Sequence, residues 1–249
     1  MMIKFYSSSS YRAIRESKFA ILPSETTLYK FMVPRREVGI SQTRLAELSN
    51  LAKTLPEDER EVSVVFDEMA LQANINFDSS GEVFGFAINY CEESQQLATS
   101  MLCFLVQGLR RNFHEVAAFY PVHNVDASFL RIGLLEVIRL LMKSGFQPLL
   151  TVSDNHPMNQ KLYRILSGKS DEELIEDPVI QNPYDSNKPI VLSHDPVHIL
   201  KCLRNNWFRK PTWPIEENGS ISWKLLQALL DHEQDMVIRK AHNLTYRGK

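Results

Sequence analysis

Residues Glu61 to Asp67 read EVSVVFD, and Glu68 and Met69 follow at once. The run is apolar and Val-rich, and an acidic pair stands where the apolar character stops. β-Branched residues in a short unbroken run predict a strand buried on both faces. A carboxylate at the C-terminal end of such a strand lies at the sheet edge where open α/β folds place their ligands. The pattern recurs at Phe146 to Asp154, FQPLLTVSD. Two buried strands delivering Asp67 and Asp154 to one edge would form a divalent-metal site.

The remaining composition sets bounds on this idea. The chain has 249 residues, 44% hydrophobic and 23% charged, as in an ordinary globular protein. Its formal net charge of −2 gives no basic signature for the whole chain, so nucleic-acid binding would use local patches. The three cysteines, Cys91, Cys103 and Cys202, are scattered, without a C-x-x-C pair. They suggest neither a disulfide framework nor a zinc site, and fit reduced thiols in an intracellular protein. The N-terminus MMIKFYSSSS lacks the apolar core of a signal peptide, and no apolar stretch approaches a membrane span. The expectation is a soluble protein, cytosolic or nuclear, with no membrane partner.

In chain order, residues 1–60 predict a small helical, helix-turn-helix-like region. Short helices are expected at Tyr11–Phe19, at Glu25–Met32 behind a Ser24 cap, and at Ser41–Thr54. A strand over 62–67 follows, then a second over Ala70–Phe77, a turn at Asp78–Gly81, and a return over Glu82–Ile88. Cys91–Thr99 reads as a polar connection, with extended segments at Leu102–Val106 and Glu115–Tyr120. The clearest helix is Asp126–Lys143, with Phe129, Ile132, Leu135 or Glu136, Ile138 and Leu141 marking its buried face and Ser144-Gly145 its stop. Phe146–Val152 returns as a strand, so the intervening helix implies a parallel pair. A helix at Met158–Leu166, with Pro157 in its first turn, is followed by an acidic loop over 167–187. Then come a short strand at Pro189–Leu192, a helix to Leu203 or Trp207, a linker over 208–220, and a helix over Ser222–Ala241.

Strands, then a crossover helix to a parallel strand, is the order of an RNase H-like fold. The fold class expected is α/β, an RNase H-like mixed sheet with flanking helices. In it Asp67 and Asp154 end adjacent parallel strands and can hold Mg²⁺, a hard cation that prefers oxygen ligands. Paired metals activate a water or hydroxyl and stabilise the leaving oxygen of a phosphodiester. The competing reading makes each aspartate a turn or cap residue, with Asp154 as the N-cap of its helix.

Three other patterns compete with this one. VVFDE followed by nucleotide Mg²⁺ would need a glycine-rich phosphate loop upstream. The nearest approximation, YRILSGKS at 163–170, lies downstream and lacks the first glycine. His194-Asp195-Pro196-Val197-His198 holds two histidines and an acid, but Pro196 places a strand-to-helix boundary between them, and Asp195 also reads as a helix cap. Arg110, Arg111, Lys161, Lys201 and Arg204 are candidates for a phosphate-facing surface, along with Arg164, Arg209 and Lys210 and the aromatic Trp207, Phe208 and Trp213. Such contacts would give affinity without sequence specificity.

Several blocks resemble the transposases of P elements and their domesticated THAP-domain relatives. They are YSSSSYRAIRE, ILPSETTLYKF, VSVVFDEM, SGEVFGFA, FLVQGLRR and VAAFYPV, then LLTVSDNHPMNQKLY, NPYD, HDPVHILKCLRNNW, ISWKLLQALL and AHNLTYRGK. They span nearly the whole chain in the family's order. The resemblance implies a nuclear enzyme that cuts and joins DNA at transposon ends and targets, works as an oligomer, and uses Mg²⁺ or Mn²⁺. Its first two acids fall on Asp67 and Asp154. It also implies a division into a helical region (1–60), a catalytic core (61–207) and, over 208–249, the start of a helical insertion associated with GTP. The family's third acid, a glutamate, follows that insertion and has no counterpart here, nor do the ligands of its zinc-binding domain. The expectation is therefore an incomplete nuclease core, with a domesticated, non-catalytic DNA- or protein-binding module as the alternative.

Overall fold

The computed structural model describes residues 8–17, 21–27, 37–77, 83–89, 92–170, 172–215 and 219–233. It divides into two units, Met1–Val38 and Gly39–Lys249. In the first, helix α1 (Ser8–Glu16) has the Tyr11 hydroxyl donating to the Pro23 carbonyl at 2.8 Å, and Arg12 pairs with Glu25 at 2.6 Å. Ser24 Oγ accepts from the Thr27 amide at 3.0 Å, the expected cap, although most of the helix it was expected to open lies outside the described residues. The turn expected at Asp78–Gly81 and the last residues of the helix expected to reach Ala241 lie outside them too.

The second unit is built on a six-stranded sheet. Its strands are β1 (Glu61–Ala70), β6 (Ser100–Gly108), β7 (His114–Val122), β8 (Gln147–Ser153), β9 (Val179–Asn182) and β10 (Asp185–His194), in the order β7-β6-β1-β8-β10-β9. β6 and β7 run antiparallel beside β1, whereas β8 pairs parallel to β1 and β10 parallel to β8. The parallel pairs need crossovers. Helix α3 (Ala127–Lys143) precedes β8, and α4 (Pro157–Leu166) lies between β8 and β9. Helix α2 (Gln42–Lys53) precedes β1, Ser41 Oγ accepting from the Arg44 amide at 3.1 Å as its N-cap.

The Val-rich reading of β1 explains its central place. Val62, Val64 and Phe66 are fully buried on one face, with Leu102, Phe104 and Val106 of β6 buried beside them. Against this face packs α3, whose Gly133 brings the helix close to Phe104: a Cβ there would sit 3.1 Å from the ring. The rings link in series, Phe66 to Phe104 at 5.6 Å, Phe104 edge-on to Tyr120 at 6.1 Å, and Phe66 edge-on to Tyr163 at 6.4 Å. The alternate residues, Val65, Leu105, Val152 and Val191, are only partly covered.

Several expectations are corrected. β1 continues to Ala70, the residue at which a second strand is expected to start, and among the described residues before Val83 only Asn76–Phe77 (β2) is extended after it, paired with Val83–Phe84 (β3). The supposed polar connection contains β5 (Glu92–Leu97), antiparallel to β4 (Phe86–Asn89). A two-stranded ribbon needs little apolar side chain, so periodicity did not mark it. The acidic loop holds β9 and the start of β10, and the linker holds a hairpin of β11 (Thr212–Ile215) and β12 (Gly219–Ser222). Helix α5 (Pro196–Arg209) precedes this hairpin and α6 (Trp223–Glu233) follows it, with Trp207 edge-on to Trp223 at 5.5 Å. In α3, Ile132 and Glu136 are exposed; Leu130, Leu134, Val137 and Leu141 form the buried stripe with Ile138.

Candidate active site

The parallel register sets the site. Val65 of β1 pairs with Val152 of β8, and Asp67 and Asp154 each stand two residues further along. Successive side chains alternate between sheet faces, so Asp67, within β1, follows Val65 onto its face, whereas Asp154 stands one residue past the end of β8. Asp67 pairs with Cys103 of the antiparallel neighbour. A cleft of about 240 Å³ is lined by Asp67, Glu68, Asp154, His156 and Asn159, with Phe66, Leu102 and Leu130 as its apolar floor. Contrary to expectation, Asp67 does not end its strand, since β1 stays paired with β6 as far as Ala70.

Asp154 is held from several directions. Its Oδ1 accepts from the His156 amide at 2.9 Å and from Asn159 Nδ2 at 2.7 Å. Its carbonyl accepts from His194 Nδ1 at 2.9 Å and from Ser153 Oγ at 3.1 Å. The neighbouring Ser153 carbonyl accepts from the Asp195 amide at 2.7 Å. Asp154 is not the cap of α4: the N-cap is His156, whose Nδ1 accepts from the Met158 amide at 3.4 Å. The carboxylate instead closes a turn onto His156, and among the described residues no side chain or amide donates to its Oδ2. Asp67 is exposed, with Oδ1 accepting from the Glu68 amide at 2.8 Å. Glu68 Oε2 accepts from Ser100 Oγ at 3.1 Å. Burial first, and the Asp67 charge second, push the Cys103 thiol up from its ordinary range.

Two carboxylates with uncommitted oxygens at one cleft supply hard oxygen donors, and this fits Mg²⁺ or Mn²⁺ better than a soft metal. Among the described residues no three His, Cys, Asp or Glu side chains converge as a ready metal cage. The fit is thus to a pair of ligands and not to a closed site.

The other sequence candidates divide by position. Arg110 and Arg111 sit past Gly108, which pairs with Val62 at the start of β1. Six residues of strand separate that end from Asp67, roughly 20 Å at ~3.3 Å per residue. Both arginines are engaged, Arg110 with Glu61 at 2.8 Å and Arg111 with Glu59 at 2.9 Å. Lys161 on α4, and Lys201 and Arg204 on α5, are exposed on helices that start from the same strand ends as the acids. The His194–His198 cluster separates: His194 supports Asp154, Asp195 caps α5 by accepting from the Val197 amide at 2.8 Å, and His198 lies 3.8 Å from Asp195. Periodicity gave no sign of Asn159, His156 or His194 as partners of Asp154. A polar Asn on the buried face of a short helix was the one signal available.

A family model described as TNP-like, RNase H N-terminal domain, matches residues 36–167, a little over half of the chain. The chain belongs to this family. The TNP-like RNase H match spans β1 to α4 and so includes both aspartates. Among solved structures, the Drosophila P element transposase strand transfer complex aligns over 98% of this chain with a TM-score of 0.70 and 21% identity. That likeness shows the RNase H-like fold, as expected from the order of elements. The chain spans 50% of that transposase chain. The Mos1 strand transfer complex, 12% identical over 92% of this chain and 76% of its own, has a TM-score of 0.24 and carries no argument. No curated protein matches the chain.

Proposed function

We propose that this chain is the catalytic-core portion of a P element-like DNA transposase, with Asp67 and Asp154 as ligands of Mg²⁺ or Mn²⁺. The observation that supports this reading is the cleft that Asp67 and Asp154 both line, next to the parallel pairing of Val65 with Val152. When bound, such a cation would activate a water or a DNA hydroxyl and stabilise the leaving oxygen of a phosphodiester. Asp67 and Asp154 would hold it, Asn159 and the His156 amide would orient Asp154, and Lys161, Lys201 and Arg204 would meet phosphates.

The fold likeness to a chain solved in a strand transfer complex supports DNA ends as substrate and an assembly of more than one copy. Nuclear location follows from that substrate. Residues 208–249 would then begin a helical insertion, and any guanine-nucleotide site would depend on more of it. The test is nicking of a radiolabelled duplex by the purified chain with Mn²⁺, compared with Asp67→Asn and Asp154→Asn. Weak Mn²⁺-dependent nicking, lost in both variants, is expected. DNA binding that is salt-dependent, metal-indifferent and unchanged in both variants would favour a non-catalytic binding module instead.

A further inference from the structure

We propose that Asn159 is a positioning residue: it locks the Asp154 carboxylate in one rotamer, with Oδ1 taken by protein donors and Oδ2 left for a cation. This inference rests on the metal-site reading above. Asn159 is 9% exposed and lies in the first turn of α4 on the face that buries Leu162 and Tyr163. A primary amide in such a place is costly unless bonded, and Asn is a poor helix former. Its Nδ2 donates to Asp154 Oδ1 at 2.7 Å, and because an ionised carboxylate only accepts, this contact also fixes which way the amide faces.

A capping role does not account for the residue, because the cap of α4 is His156. The His156 amide converges on the same Oδ1 at 2.9 Å, so both donors load one oxygen, and none among the described residues loads the other. The main chain is fixed separately: His194 donates to the Asp154 carbonyl at 2.9 Å and the Asp195 amide to the Ser153 carbonyl at 2.7 Å. With the backbone tied, the remaining freedom is rotation about the Asp154 side-chain bonds, and Asn159 restricts it together with the His156 amide by holding Oδ1. Outer-sphere partners that orient a metal ligand in this way are worth about 10–100-fold in metal affinity.

The test uses Asn159→Leu, which keeps volume and removes the donor, with Asn159→Ala as a second variant should the first pack badly. In the metal-free protein, three-bond NMR couplings at Asp154 are expected to report one rotamer in the parent and averaged rotamers in the variants. Mn²⁺ affinity by calorimetry is expected to fall roughly 10–100-fold in both variants. Couplings that stay locked overturn the proposal, as does a variant that loses only thermal stability while couplings and affinity hold. The metal reading is judged by Asp154→Asn. If that variant abolishes Mn²⁺ binding while the Asn159 variants bind normally, the positioning role fails alone. If Asp154→Asn binds Mn²⁺ as the parent does, the metal reading fails, and the couplings still decide whether Asn159 holds Asp154.

Discussion

Replacing Phe66 with alanine tests whether the strand that carries Asp67 is fixed by its packing. Phe66 is 1% exposed, directly precedes Asp67, and contacts Phe104 at 5.6 Å and Tyr163 at 6.4 Å between ring centres. Phe→Ala in a sealed core costs about 3–5 kcal/mol, through lost burial and the cavity left behind. The two ring contacts place this site in the upper part of that range, since aromatic pairs add about 0.5–1.5 kcal/mol beyond burial. Native stabilities are only about 5–15 kcal/mol, so the variant should remain folded but be much weakened. At about 2–4 °C per kcal/mol for a chain of this size, Tm should fall by roughly 6–20 °C. Thermal and urea unfolding, followed by circular dichroism, measure it. Phe66→Leu should lose far less. A loss below about 1 kcal/mol for Phe66→Ala would refute the packing account, because it would mean that β1 is not clamped between β6 and α4.

Other consequences follow from single contacts. Asp126 Oδ1 accepts from the Phe129 amide at 2.7 Å as the N-cap of α3, so Asp126→Ala should cost about 0.5–2 kcal/mol in urea unfolding. Burial raises the Tyr163 phenol above its ordinary value of 10.0, while its hydroxyl donates to the Ser193 carbonyl at 2.9 Å. Because the folded value is the higher one, this contribution to stability is complete below about pH 10 and declines as pH rises through the folded value. Tyr163→Phe should flatten that alkaline decline in unfolding free energy measured between neutral and high pH. Cys202 is exposed while Cys103 is half-buried with a raised thiol, so at mildly alkaline pH a thiol reagent followed by peptide mass spectrometry should modify Cys202 before Cys103.

The parts of the fold that were legible in the sequence are those in which burial is written in side chains. β1 and β8 announce themselves because they are covered enough to need Val, Leu and Phe, and α3 because its N-cap and C-terminal glycine bracket an apolar stripe. The strands that escaped have other supports. β5 (Glu92–Leu97) reads EESQQL and is held by backbone pairing with β4, and β9 to β10 is broken by Asn-Lys-Pro at the edge of the sheet. Ile132 misled because an apolar residue at helical spacing can still face outward, here 40% exposed. At the site, the apolar runs ahead of Asp67 and Asp154 marked these two as candidates, and both line one cleft. The support from Asn159 and His194 depends on how α4 and β10 fold back onto β8, and no local pattern encodes that.

The central claim is that one cation would meet Asp67 and Asp154 together. Paramagnetic broadening by sub-stoichiometric Mn²⁺, read in an amide NMR spectrum, tests it most directly. Resonances of Asp67, Glu68, Asp154 and His156 should broaden first and together, while those of Arg110 and Arg111 at the opposite end of β1 stay sharp. Either Asp67→Asn or Asp154→Asn should abolish the effect at both strands. Broadening at one strand alone, or equal broadening at the arginine turn, would contradict the claim.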